Sequence, residues 1–271
     1  MILVYNLLSS VLPSDPAEQH SSGGGDDIMH HVLDHDILHL PTVLGVDLSI
    51  SYHTLMMWIA SALLLFFLTP LFRKRNIIPK GRFANSIEAI VEFLRQDIIY
   101  NYIGKEGKKF ENYLLTVFFF ILTNNLMGLV PGGAAATSDI SVTVTLTLLT
   151  FSMVLGAGIA HHGFFGYWKG LIPGGVPGWL IPVLFPIEIL GILAKHFALA
   201  MRLFANMTAG HITILALIGL VFTFNSYFIA PAPVIVAATI GVLEVLVAFL
   251  QAYIFTLLSG VFIGASVHQD H

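Results

Sequence analysis

The sequence predicts an all-α integral membrane protein with about three ordinary transmembrane crossings, an amphipathic interfacial helix, and a hairpin of two long, strongly tilted to near-horizontal membrane helices. Three observations lead there. Of the 271 residues 56% are hydrophobic and only 10% charged, with a mean hydropathy of +0.84, whereas an ordinary soluble domain carries about 25% charged residues. Nine of the twelve Lys and Arg residues gather between Arg73 and Lys109, while the first fifty positions hold seven Asp and Glu and no Lys or Arg. Two apolar stretches, finally, are too long for a single upright crossing.

The elements follow in order. MILVYNLLSS has no basic n-region and makes a poor signal peptide, a short cleaved leader being the alternative. PSDPAEQHSSGGGDD reads as a polar linker. Residues 1–51 are thus an N-terminal segment ahead of one membrane domain, 52–271. The first crossing, 52–72, ends against Arg73-Lys74-Arg75. Basic loops stay on the cytoplasmic side, so the N-terminus is read as outside and 73–109 as inside.

In 83–103, Phe83, Ile87, Ile90, Val91, Leu94 and Ile98 share one helical face and Glu88, Glu92, Arg95 and Gln96 the other. Such a helix lies along the membrane interface or packs on a partner. Residues 112–131 cross outward and stop at Pro131-Gly132-Gly133; 140–160 return inward. The Ser/Thr alternation of 140–160 has the period of a strand, but a lone strand cannot cross lipid outside a closed barrel, so a helix is expected. Residues 161–182, broken by Pro and Gly, read as an inside loop.

Residues 183–223 have no proline after Pro186, and 234–266 have none. A crossing needs roughly twenty residues, and forty helical residues extend about 60 Å. FNSYFIAPAP is the clear break between the two. Four ordinary crossings, with turns at sites such as Gly210, are the alternative. The C-terminus falls in the cytoplasm by the count of crossings.

Within these two helices lie Glu188, Lys195, Arg202, Asn206, His211, Glu244 and Gln251. An ionisable group at this depth costs about 2.5–3.5 kcal/mol on insertion scales and usually faces a water-filled path or a charged partner. Snorkelling is the alternative for Lys195, but Arg202 is far from either end of its run. At 100° per residue Glu188, Lys195, Arg202 and Asn206 fall in a stripe about 40° wide, which Thr213 continues, and His211 points to the other side. Glu244 and Gln251, seven apart, share a face. A His211–Glu244 pair suits a proton relay.

EILGILAKHFALAMRLFANMTAGH followed by LEVLVAFLQAYIFTLLSGVFI resembles subunit a of F-type ATP synthases, and NNLMGLVPG, TSDISVTVTLTL and HHVLD are similar to that family in order and spacing. The resemblance covers nearly the whole chain beyond about residue 28. It implies the membrane stator of the Fo sector, with two offset proton half-channels against a rotating ring of c subunits. Arg202 would face the ring's carboxylates, favour their deprotonated form and separate the half-channels. Asn206, His211, Glu244 and Gln251 would line the outside half-channel, Glu188 and Lys195 the inside one, and Asp139 the outside mouth. Capping the 140–160 helix is an equal reading for Asp139.

This chain departs from the family in carrying His211 and Glu244 where an acid and a histidine are more familiar, and Ala198 where serine is common. The partners implied are the c-ring subunits, b-type peripheral stalk subunits, the remaining ATP synthase subunits and the lipid bilayer, with no nucleic acid. A bacterial inner membrane is the expected location. No phosphate loop GxxxxGK[ST] occurs, so ATP chemistry is expected on other subunits.

No cofactor or metal is expected. Cysteine is absent, and His20, His30, His31, His35 and His39 read as a solvated segment rather than a zinc site. His161 and His162 read as loop residues. The competing function is a self-contained proton-coupled secondary transporter with Arg202 as substrate clamp, although no convincing repeat accompanies it.

Overall fold

Apolar runs with few interior breakers satisfy their backbone as helix, and helices dominate the computed structural model, which describes residues 36–38, 50–73, 82–130, 133, 135–172, 176–224 and 231–268. The five N-terminal histidines, the basic run after Arg73, Pro131-Gly132 and most of FNSYFIAPAP lie outside the described residues. One element was not expected. Strands β1 (Asp36–Leu38) and β2 (Ile50–Ser51) pair antiparallel, Asp36 opposite Ser51 and Leu38 opposite Ile50, with an irregular register between.

Helix α1 (Tyr52–Arg73) follows β2 directly, and α2 (Arg82–Leu94) begins the amphipathic segment. The sequence predicts a single helix over 83–103; instead the chain changes to a π-helix over Arg95–Ile103 and then to a 3-10 helix over Gly104–Lys109. With the altered register Ile98, Ile99 and Ile103 are all buried. They pack on the last helix, where Gly260 and Gly264 permit the approach. A methyl at Gly260 would stand 2.6 Å from Ile98 Cγ2, and one at Gly264 would collide with the Tyr102 carbonyl oxygen. Small residues four apart are the usual means of close helix packing in membranes.

Helix α3 (Glu111–Gly128) leads through a 3-10 turn, Ala136–Ser138, to α4 (Ile140–His162). The hydroxyl-rich α4 is a helix, as membrane burial requires. Thr145, Thr147, Thr150 and Ser152 each donate to the carbonyl four residues back, at 2.7–3.1 Å. At its end the loop expectation fails in detail. His161 and His162 form the last turn of α4, Gly163 (φ 74°) redirects the chain, and α5 (Phe164–Gly170) follows. The His162 ring Nε2 lies 3.0 Å from the Val267 carbonyl oxygen.

Helices α6 (Ile181–Phe224) and α7 (Pro231–Val267) have 44 and 37 residues and run unbroken, with Gly210 inside α6. At 1.5 Å per residue they extend about 66 and 55 Å, against about 30 Å of hydrocarbon. Among the described residues α4, α6 and α7 are long and apolar enough to cross a membrane. Helix α7 is the hub, touching α6, α3, α4 and the π segment. Leu94, Ile98, Phe118, Ile121, Leu199, Leu203 and Phe255 fill one core, and Ile99, Ile103, Leu114, Val154 and Ile263 a second.

Candidate functional site

The inward face of α6 is set by Leu199, Leu203 and Met207, which are buried and fix the helix's rotation. That rotation leaves Arg202 exposed. It makes no hydrogen bond or ion pair with any described residue. The α6–α7 hairpin also leaves Phe197, Val242, Leu243, Val245 and Leu246 exposed. A cation exposed on an otherwise apolar helix, with no partner among the described residues, calls for an explanation.

One turn along α6, Asn206 donates from Nδ2 to Gln251 Oε1 at 2.8 Å. Gln251 is 2% exposed, and its own Nε2 has no partner among the described residues. A second amide, from α3, meets α7 one turn back. Asn125 donates to the Ala248 carbonyl oxygen at 3.3 Å and accepts from the Thr137 hydroxyl at 2.6 Å. Asn125 and Thr137 are fully buried.

Glu244 lies against α6 at Gly210, where a methyl would collide with its Oε1. His211 is the next residue, yet no hydrogen bond joins His211 to Glu244. The imidazole turns instead toward α3, its Nε2 standing 2.8 Å from where a Cβ on Gly128 would be. The structure therefore gathers the two residues at one level of the hairpin without bonding them directly.

Asp139 caps α4, its Oδ1 accepting from the Ser141 amide at 2.8 Å. Beside it the Ser138 hydroxyl lies 3.2 Å from His53 Nε2 on α1. His53 is 5% exposed. Toward the other end of the hairpin, Glu188 and Lys195 line a common cavity of about 250 Å³ with Tyr167, Ser266 and His268, but form no ion pair. The predicted residues thus fall into two groups on either side of Arg202.

Sequence reasoning assigned no role to Asn125, Thr137 or His53. Asn125 had a signal, an amide inside an apolar run. Thr137 and His53 had none, because their burial depends on how α1 and the 3-10 turn pack on α3 and α6.

Outside the hairpin, Arg95 joins the interfacial segment to α3. Its Nη2 and Nε donate to Glu111 Oε1 at 2.6 and 3.0 Å, and Nη1 to Glu92 Oε2 at 2.7 Å. The hydrogen bonds to Glu111 raise the guanidinium's pKa above its ordinary value. The Gln96 amide, and then Arg95, hold Glu92 below the usual carboxylate range.

Residues 54–264 match the family described as the ATP synthase A chain. A relative from Chloroherpeton thalassium named ATP synthase subunit a is 48% identical over 262 residues, covering 90% of this chain and 78% of its own. ATP synthase subunit a 2 of Prosthecochloris aestuarii is 46% identical, with 94% and 85% covered. ATP synthase subunit a of Myxococcus xanthus is 47% identical, with 83% and 77% covered.

Proposed function

The chain belongs to the ATP synthase A chain family, and from that premise we propose that it is the Fo stator that couples proton flow to rotation of a c-ring. The single observation that carries the mechanism is Arg202, exposed on α6 with no counter-charge among the described residues. Its counter-charge arrives on another polypeptide, a carboxylate of the passing c subunit. A fixed guanidinium stabilises that carboxylate against the cost of lipid. Its positive charge bars direct passage of protons between the two pathways.

The outside half-channel runs past Asp139, His211 and Glu244 to Asn206 and Gln251. The inside half-channel runs along Glu188 and Lys195. Neither reaches the other without passing Arg202, and a proton therefore completes its crossing on the ring. The lengths of α6 and α7 support a strongly tilted to near-horizontal hairpin, since an upright one would overrun the hydrocarbon about twofold. The N-terminus lies outside and the C-terminus in the cytoplasm of a bacterial inner membrane. The c-ring, b-type stalk subunits and the remaining synthase subunits are its partners, and ATP chemistry is theirs. The continuous α6 and α7 lack the interrupted helices on which many self-contained transporters build their sites.

The test uses inverted vesicles carrying Arg202→Ala in the assembled complex. ATP-driven proton pumping stops, and passive leak rises once the soluble catalytic part is stripped. Normal pumping with unchanged leak would make the arginine structural and remove the mechanism.

A further inference from the structure

The residue after Lys195 is a histidine to which the sequence reading gave no role. His196 is 5% exposed, on the face of α6 turned toward α4 and α7. Its Nδ1 lies 2.8 Å from the Ile192 carbonyl oxygen one turn back. A carbonyl oxygen only accepts, so Nδ1 carries the hydrogen, and in the neutral ring Nε2 is a bare acceptor. That Nε2 is buried and has no hydrogen-bond partner among the described residues.

Buried polar atoms are nearly always satisfied, so an unsatisfied one calls for an explanation. His196 lines the same cavity of about 250 Å³ as Glu188 and Lys195. At about 30 Å³ per molecule the space holds several waters. The ring is also held in place. Phe151 of α4 meets it edge-on and Phe262 of α7 at a tilt, each with its centroid 5.0 Å away. A histidine kept only for packing would gain nothing from an open base on its far nitrogen.

We propose that His196 is a proton-carrying residue of the inner pathway, receiving and releasing protons at Nε2 through the cavity it shares with Glu188 and Lys195. The inference rests on the stator reading above. A proton released from the ring enters the cavity as protonated water and forms the Nε2–H bond, giving an imidazolium whose Nδ1 bond to Ile192 is unchanged. The same proton then leaves Nε2 for the Glu188 carboxylate or for outgoing water, and the ring is neutral again. One proton moves, and no electron pair leaves the ring for good. The ionisable groups around the cavity are Glu188 and Lys195 on α6, Tyr167 on α5 and His268 beyond α7, while α4 and α7 add the two phenylalanine rings and Ser266. His196 lies about 9 Å along α6 from Arg202, on the same side of it as Glu188.

His196→Asn in the assembled complex separates carrying from packing, because the amide can still donate to Ile192 but offers no comparable base. In inverted vesicles ATP-driven pumping falls about tenfold or more, and the pH dependence between about pH 5 and 8 that belongs to an imidazole is lost. Imidazole added to His196→Ala vesicles restores part of the flux. The chain has no cysteine, so His196→Cys gives it one thiol, and a small water-soluble thiol reagent inhibits that variant.

Unchanged flux and pH profile in His196→Asn, or an unreactive thiol, would overturn the proposal. So would failure of His196→Asn to assemble, which would make the ring structural. Arg202→Ala in parallel vesicles separates the two levels. If it stops pumping while His196→Asn does not, only the carrier role falls; if neither affects pumping, the stator reading falls too.

Discussion

The Asn206 amide donates to Gln251 across the α6–α7 hairpin at 2.8 Å, one helical turn from an arginine that has no partner among the described residues. The bond fixes the two long helices against each other at the level where Arg202 must present its charge. It is also an asymmetric pair. Asn206 is exposed, whereas Gln251 is buried and its amide nitrogen has no partner among the described residues.

That asymmetry sets the effect of each substitution. Asn206→Leu strands both ends of a buried amide and costs about 1–3 kcal/mol, whereas removing both partners leaves no orphan. Asn206→Leu therefore lowers the temperature at which the complex comes apart more than Asn206→Leu with Gln251→Leu does. Pumping falls in both. Equal and additive losses of thermal stability would mean that the two amides are not coupled.

Much of this hairpin was legible in the sequence, because length and the absence of breakers demand long helices whatever they pack against. Arg202, Glu188 and Lys195 were legible for a related reason, since charge in an apolar run needs an explanation wherever it falls. His196 was not. A histidine beside a lysine looks like a snorkelling neighbour until α4 and α7 close over it. The π-helix at Arg95 was equally hidden, because its register is set by contact with Gly260 and Gly264, more than 150 residues further along. The α5 helix escaped because neighbouring glycines and prolines read as loop, while the turn itself needed only Gly163.

Arg95 makes a prediction outside the hairpin. Its contacts to Glu111 and Glu92 tie the end of the interfacial segment to the start of α3. Arg95→Ala raises amide exchange across residues 92–111 and costs about 1 kcal/mol through the Glu111 contact, the upper end for a part-exposed pair. Glu92, whose folded pKa lies below its unfolded one, contributes stability that is present above the ordinary carboxylate range. That contribution is lost as pH falls through the folded value. Acidification therefore loosens the wild-type segment more than it loosens Glu92→Gln. An identical acid response in the two would remove Glu92 from the contact.

Glu244 and His211 carry the last prediction. The carboxylate rests on Gly210, so its place depends on a residue with no side chain, and His211 stands next along the same helix. Glu244→Ala removes the acid from this level of the hairpin and slows proton flux several-fold or more, general acid–base groups contributing about 100-fold or more where they act directly. Gly210→Ala should do so too, because its methyl pushes the carboxylate aside, whereas Gly241→Ala on α7 meets nothing within 4 Å and leaves flux unchanged. Exchanging the pair, Glu244→His with His211→Glu, keeps one acid and one base at the same level. Flux in that double variant recovers part of what Glu244→Ala loses, as read from pumping rates in vesicles with matched amounts of assembled complex. If Glu244→Ala pumps like the wild type, the two residues form no relay and the outside pathway has to run past Asp139, Asn206 and Gln251 without them.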